Sequence, residues 1–103
     1  MGALETAMSL IAGAGDSKSY SMEAIMYARE GDFAKARECI VKAKEGLIGT
    51  HDIQTELIRT EMTGGRYELT LLMVHAQDHL NSALLMRDMA EEFISLYERL
   101  SNK

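Results

Sequence analysis

The chain contains no proline and no tryptophan, and its few phenylalanines and tyrosines make up only 6% of it. Without proline, nothing in the sequence forces a long helix to break or kink. Strand signals are missing too, because no run of β-branched and aromatic residues alternates with polar ones. A single cysteine, Cys39, permits no intrachain disulfide, which fits a reducing cytoplasm. No apolar run approaches the roughly 18 residues that would span a bilayer. Met1 to Gly15 lacks a basic start and a small-residue cleavage site, so it is not expected to act as a signal peptide. Basic excess is also absent. A formal net charge of -5 argues against a nucleic-acid binder, which needs a basic face to displace counterions, and it disfavours an anionic membrane surface.

Ala, Leu, Met, Glu and Lys are plentiful, and these residues lose little rotamer freedom in a helix. At 103 residues the expectation is one all-α domain over 1–103. Three long segments carry apolar residues at helical spacing. The first, about Ala3 to Arg29, has Leu4, Met8, Ile11, Ala14, Met22, Ile25 and Met26, with Gly13 and Gly15 allowing a bend within one continuous helix. Gly31 suits the left-handed residue after a helix, and Asp32 can cap the next. The second runs from Phe33 to about Met62 through Ala36, Ile40, Ala43, Leu47 and Leu57. Thr63-Gly64-Gly65-Arg66 is the clearest break, and the third segment is read from Tyr67 to about Leu100. Long helices with short connections give an antiparallel up-down-up bundle.

The third helix has more apolar surface than one bundle can bury. At about 100° per residue, Leu72, Ala76, Leu80, Ala83, Ala90 and Ile94 share one face, while Gln77, Asn81, Asp88, Ser95 and Arg99 lie opposite. A second apolar column runs through Leu71, Asp78, Leu85, Met89 and Leu96. An unburied column of this kind marks an association surface. If copies meet around an axis, their Asp78 carboxylates converge there, and protons or a divalent cation with oxygen ligands would relieve the repulsion.

Val74-His75-Ala76-Gln77-Asp78-His79-Leu80 is the stretch that carries chemistry. His75 and His79 lie one helical turn apart at the edge of the core-facing stripe. Spacing alone leaves three readings of them open: packing residues, a nucleophilic imidazole forming a covalent intermediate, or two ligands of a zinc ion with Asp78 as a third. A non-catalytic helical adaptor with structural histidines belongs to the first of these. Zincin proteases place Glu directly after the first histidine, whereas Ala76 stands here. His51 and Gln54 share a turn of the second helix, either on a plain polar face or approaching His75. Cys39 reads as a small packing residue.

The motif at 74–80 resembles the signature of the lactose/cellobiose-type enzyme IIA components of the bacterial sugar phosphotransferase system. Gly31-Asp32-Phe33-Ala34-Lys35-Ala36 is similar to that family's second-helix start, His51 with Gln54-Thr55 to its His-x-x-Gln-Thr stretch, and Leu96-Tyr97 to its C-terminal helix end. The resemblance implies a homotrimer of three-helix bundles, nine helices in all. It makes His75 the phosphoryl acceptor, taking the group from the phosphorylated histidine-containing phosphocarrier protein. The group then passes to a cysteine of the IIB component during uptake of a sugar such as a β-linked disaccharide. It places one Asp78 per subunit at the threefold axis around a divalent cation such as Mg2+, and it makes His79 and Gln77 helpers around the phosphohistidine. Asn81-Ser82 departs from the Met-Thr common at that point in the family, which bears on subgroup and partner. The sugar itself is not encoded in these motifs.

Overall fold

The computed structural model describes residues 2–102. Its elements are α1 (Ala3–Arg29), α2 (Phe33–Met62) and α3 (Leu71–Ser101), and no strand occurs among the described residues. The expected all-α, up-down-up bundle is therefore the observed one. It is a rod of 56 × 21 × 19 Å. Its length follows from helices of 27, 30 and 31 residues rising about 1.5 Å per residue.

Each boundary has a local cause. After α1, Gly31 takes φ +87°, and its N–H donates to the Ala28 carbonyl. Asp32 then caps α2, its Oδ1 accepting from the Lys35 amide at 3.2 Å. A cap of this kind typically contributes about 1 kcal/mol. Gly64 reverses the chain after α2 with φ +93°. The third helix starts four residues later than Tyr67. Thr70 is extended, and its hydroxyl accepts from the Met73 amide at 3.1 Å, so the cap rather than the preceding apolar pair sets the start. Tyr67 instead donates its hydroxyl to Thr60 Oγ1, and Leu69 is exposed.

α1 packs along both other helices, whereas α2 and α3 meet over much less of their length. The residues α1 buries are small ones: Ala7, Ala14, Ser17, Ser21, Ala24 and Ala28, together with Thr6 and Leu10. Leu4, Met8, Met22 and Met26 face outward. This corrects the reading of α1 from its large apolar residues. Small side chains let the backbones approach, and a close-packed interior rewards that approach over bulk. Gly13 marks the tightest point, where an added Cβ would lie 2.0 Å from Thr50 Oγ1. α1 is continuous through Gly13 and Gly15.

The core has two apolar clusters, one around Leu10, Leu47, Met73, Ala76 and Leu80 and the other around Ala28, Ile40, Ala90 and Ile94. On α1, Ser17 and Ser21 fall between the residues of these clusters. Ser17 Oγ donates to the Ala43 carbonyl at 2.9 Å. Cys39 is buried in the second cluster, and burial, reinforced by Glu23, pushes its thiol pKa up, so it packs as a neutral small residue.

Candidate functional site

On α3 the faces fall as the periodicity predicts. Ala76, Leu80, Ala83, Ala90 and Ile94 are fully buried, and Leu72 is half-buried against the core. Leu71, Leu85, Met89 and Leu96 form an exposed column, with Leu71 86% and Leu85 64% accessible. Asp78 sits within that column, exposed, and takes part in no ion pair or side-chain hydrogen bond among the described residues. Val74 and Phe93 extend the apolar surface beside it.

His75 is exposed and His79 half-buried. The helix returns their rings to one side, where they meet edge to face at 88° with centroids 4.4 Å apart. The two Nε2 atoms are 3.0 Å apart. A third group, which sequence reasoning missed, completes the arrangement: Lys18 of α1 places Nζ 3.1 Å from His79 Nδ1. An ammonium has donors only, so His79 Nδ1 accepts. The neutral His79 ring then carries its proton on Nε2 and donates to His75. His75 Nε2 is thereby the acceptor, its lone pair directed at the His79 N–H, and the His75 proton resides on Nδ1. Burial, then Lys18, then His75 hold the His79 pKa below its ordinary value, with Asp78 opposing. The neutral ring that this relay requires is thus the favoured one.

The other candidates lie elsewhere. Gln77 is two residues from His75, about 200° round the helix. Its Oε1 accepts from Gln54 Nε2 at 2.8 Å, so this glutamine pair ties α2 to α3 on the side away from the imidazoles. His51 is exposed and lines a cavity of about 320 Å³ with Lys44, Asp52, Leu84 and Arg87. Of the second-helix pair, only Gln54 thus reaches a residue of the 74–80 motif. No group of three or more His, Cys, Asp or Glu side chains able to hold a metal occurs among the described residues. The two histidines face each other as a hydrogen-bonded pair.

The site thus consists of an exposed imidazole paired with a second one on an all-helical scaffold, bordered by open apolar surface. Comparison with known proteins gives the family. Residues 5–98 match the family described as "PTS system, Lactose/Cellobiose specific IIA subunit", and the chain belongs to it. The lichenan-specific phosphotransferase enzyme IIA component of Bacillus subtilis (strain 168) is 48% identical over 89 residues, 86% of this chain and 81% of that protein. The N,N'-diacetylchitobiose-specific EIIA component of Escherichia coli (strain K12) is 36% identical over 96 residues, 93% of this chain and 83% of that one. Among solved structures, the cellobiose-specific enzyme IIA from Bacillus anthracis superposes with a TM-score of 0.93 at 42% identity, covering 96% of this chain and 91% of that one. The chitobiose IIA solved in complex with HPr, from the E. coli phosphotransferase system, gives 0.80 at 35% identity, covering 94% of each chain. No helix among the described residues is long and apolar enough to cross a membrane.

Proposed function

We propose that His75 is the covalent way-station of a sugar phosphotransferase relay in the cytoplasm. It accepts the phosphoryl group from phosphorylated HPr, the histidine-containing phosphocarrier, and passes it to a cysteine of the IIB component serving a β-linked disaccharide. The observation that carries this reading is an exposed His75 whose Nε2 lies 3.0 Å from His79 Nε2, where a His79 N–H keeps the His75 nitrogen unprotonated until an arriving phosphoryl group displaces it. The likeness to a IIA solved with HPr supports the choice of donor.

In the first transfer the Nε2 lone pair attacks phosphorus in line. A new P–N bond forms as the donor's P–N bond breaks and its electron pair returns to the donor imidazole. The arriving phosphoryl group takes the place of the His79 hydrogen on the lone pair, and the His79 N–H shifts to a phosphoryl oxygen as a charge-assisted bond. In the second transfer a cysteine thiolate attacks the same phosphorus, and the pair returns to His75 Nε2. Catalysis is then mostly positioning and electrostatics, as is usual for phosphoryl transfer. Gln77, committed to Gln54 in its own chain, could help only at a site on a neighbouring copy.

The exposed column of α3 supports assembly as a homotrimer of nine helices, with the three columns meeting at the axis. Asp78 fits the divalent cation that the family implies there, since its carboxylate is exposed, has no ion-pair partner and offers the oxygen donor a hard cation takes. One chain supplies one such ligand, so the site needs the other two copies. The ion would neutralise the converging carboxylates, and Leu71, Leu85, Met89 and Leu96 would supply the apolar burial.

The test is labelling by phosphorylated HPr. The parent chain takes up acid-labile, base-stable phosphate, and His75→Ala takes up none while keeping its helical circular dichroism. Uptake that persists in His75→Ala moves the acceptor to His79 or His51 and overturns the reading.

A further inference from the structure

Lys18 is the least expected member of the site. It lies 61 positions from His79, on a different helix, one residue after Ser17, which is fully buried and bonded to Ala43. The backbone around Lys18 is therefore fixed, and its half-buried side chain runs across α1 toward α3. Its ammonium ends 3.1 Å from His79 Nδ1, the ring nitrogen facing away from His75. That contact dictates the direction of every hydrogen bond beyond it. A donor at Nδ1 forces the His79 proton to Nε2, and a donor at His79 Nε2 forces the His75 proton to Nδ1. Free imidazole side chains favour the opposite form, with the proton on Nε2. In that form the acceptor nitrogen, Nε2, would be protonated and unable to attack.

We infer that Lys18 is a positioning residue for phosphoryl transfer, acting through His79 to hold His75 in the Nδ1-protonated tautomer that leaves Nε2 unprotonated. The inference rests on His75 being the acceptor. Once the phosphoryl group has arrived, the same contact keeps the His79 N–H aimed at it, and the ammonium stands one ring behind as a positive charge. Lys18 itself forms no bond to phosphorus at any stage. A lysine here also differs from a general basic patch, because its effect is read as a proton's place on another residue.

Histidine-selective 15N labelling of the full chain tests this before any phosphate is added. In the parent, the long-range 1H–15N spectrum should show His75 protonated on Nδ1 and His79 on Nε2. Lys18→Met, which keeps the apolar stem, should move His75 toward the Nε2-protonated form. It should also slow single-turnover acceptance from phosphorylated HPr by between about ten- and a hundredfold, the scale of one charge-assisted hydrogen bond. The half-saturating HPr concentration should stay within about twofold, since the contact is made inside the chain. Lys18→Arg, which restores a cationic donor, should recover both the tautomer and most of the rate. Lys18→Leu provides a second variant with no donor at this position should Lys18→Met disturb folding. Unchanged His75 and His79 tautomers in Lys18→Met overturn the inference, whatever the rate does. So does a changed tautomer with an unchanged rate. Both outcomes differ from failure of the acceptor assignment, which shows as phosphate uptake by His75→Ala.

Discussion

Gly13→Ala is expected to destabilise the protein, although alanine is the better helix former. The substitution lies inside α1, where replacing glycine should by itself stabilise by about 1 kcal/mol. Against this stands the contact with α2. A Cβ at position 13 would sit 2.0 Å from Thr50 Oγ1, 3.3 Å from Thr50 Cβ and 3.6 Å from the Gly46 carbonyl oxygen. The first clash is relieved only if the buried Thr50 hydroxyl rotates away from the Gly46 carbonyl that it now bonds at 3.3 Å. Leaving that hydroxyl unsatisfied costs about 1–3 kcal/mol. The second contact does not yield to side-chain rotation, so the helices must part by a few tenths of an ångström, an overpacking cost of about 1–3 kcal/mol. The net loss is roughly 1–5 kcal/mol, or a melting temperature lowered by at least about 4 °C for a domain of this size.

Gly15 supplies the internal control. A Cβ there meets nothing within 4 Å, so Gly15→Ala should raise the melting temperature by several degrees, about 1 kcal/mol of helix propensity. Thermal melts of both variants by circular dichroism, at one protein concentration so that any assembly contributes equally, should give shifts of opposite sign. Adding Thr50→Ala to Gly13→Ala should recover the part of the loss that comes from the hydroxyl, since it removes the atom at 2.0 Å and leaves the Cβ contact at 3.3 Å. A Gly13→Ala protein as stable as the parent would refute the close approach, and with it the register that carries Lys18 to His79.

The labelling of His75 and the tautomer shift in Lys18→Met stand beside two further expectations. Asp78→Leu should remain a trimer in sedimentation, because it makes the column of Leu71, Leu85, Met89 and Leu96 continuous. Burying about 1.5–3 kcal/mol of side chain per copy should lower the concentration at which it dissociates by tenfold or more, and chelators should no longer affect it. A monomeric Asp78→Leu refutes an axial role limited to holding an ion. The His79 pKa lies below its ordinary 6.5, so between the two values the unfolded chain binds the extra proton. Its contribution to stability is therefore complete above the unfolded value and is lost as pH falls toward and through the folded one. An NMR titration should place His79 below 6.5, and Lys18→Met should raise it only in part because burial is the larger cause; a midpoint at or above 6.5 refutes this.

How far the sequence discloses this molecule depends on which helix is read. On α3 the core-facing stripe, the polar face and the surplus column were all legible, because large and small apolar residues there alternate with charge at a clean period. On α1 the same method mixes two faces: Ala14 is buried and Ile11 and Ile25 pack against the core, but the largest of its residues do not. Leu4, Met8, Met22 and Met26 point outward, and Ala7, Ala14, Ser17, Ser21 and Ala24 line the interface. Hydrophobic weight cannot separate a side chain bound for the core from one bound for another surface, and Ser17 and Ser21 add nothing to an apolar count. The start of α3 was misplaced for a related reason. Tyr67 and Leu69 carry the apolar pattern forward, but the hydroxyl of Thr70 decides where the helix begins.

The site divides in the same way. The pairing of His75 with His79 is a property of one helix and follows from a spacing of four. Lys18 is a property of the distance between two helices, which is set by residues with almost no side chain. Gly13 admits Thr50, and Ser17 reaches the Ala43 carbonyl. Together they fix how α1 lies against α2, and so which α1 side chain can reach α3 at the level of His79. A reading that weighs only ionisable groups finds the imidazoles and misses what orients them. That orientation decides whether His75 presents a lone pair or a proton, so the smallest residues in α1 govern the chemistry of the imidazole pair on α3.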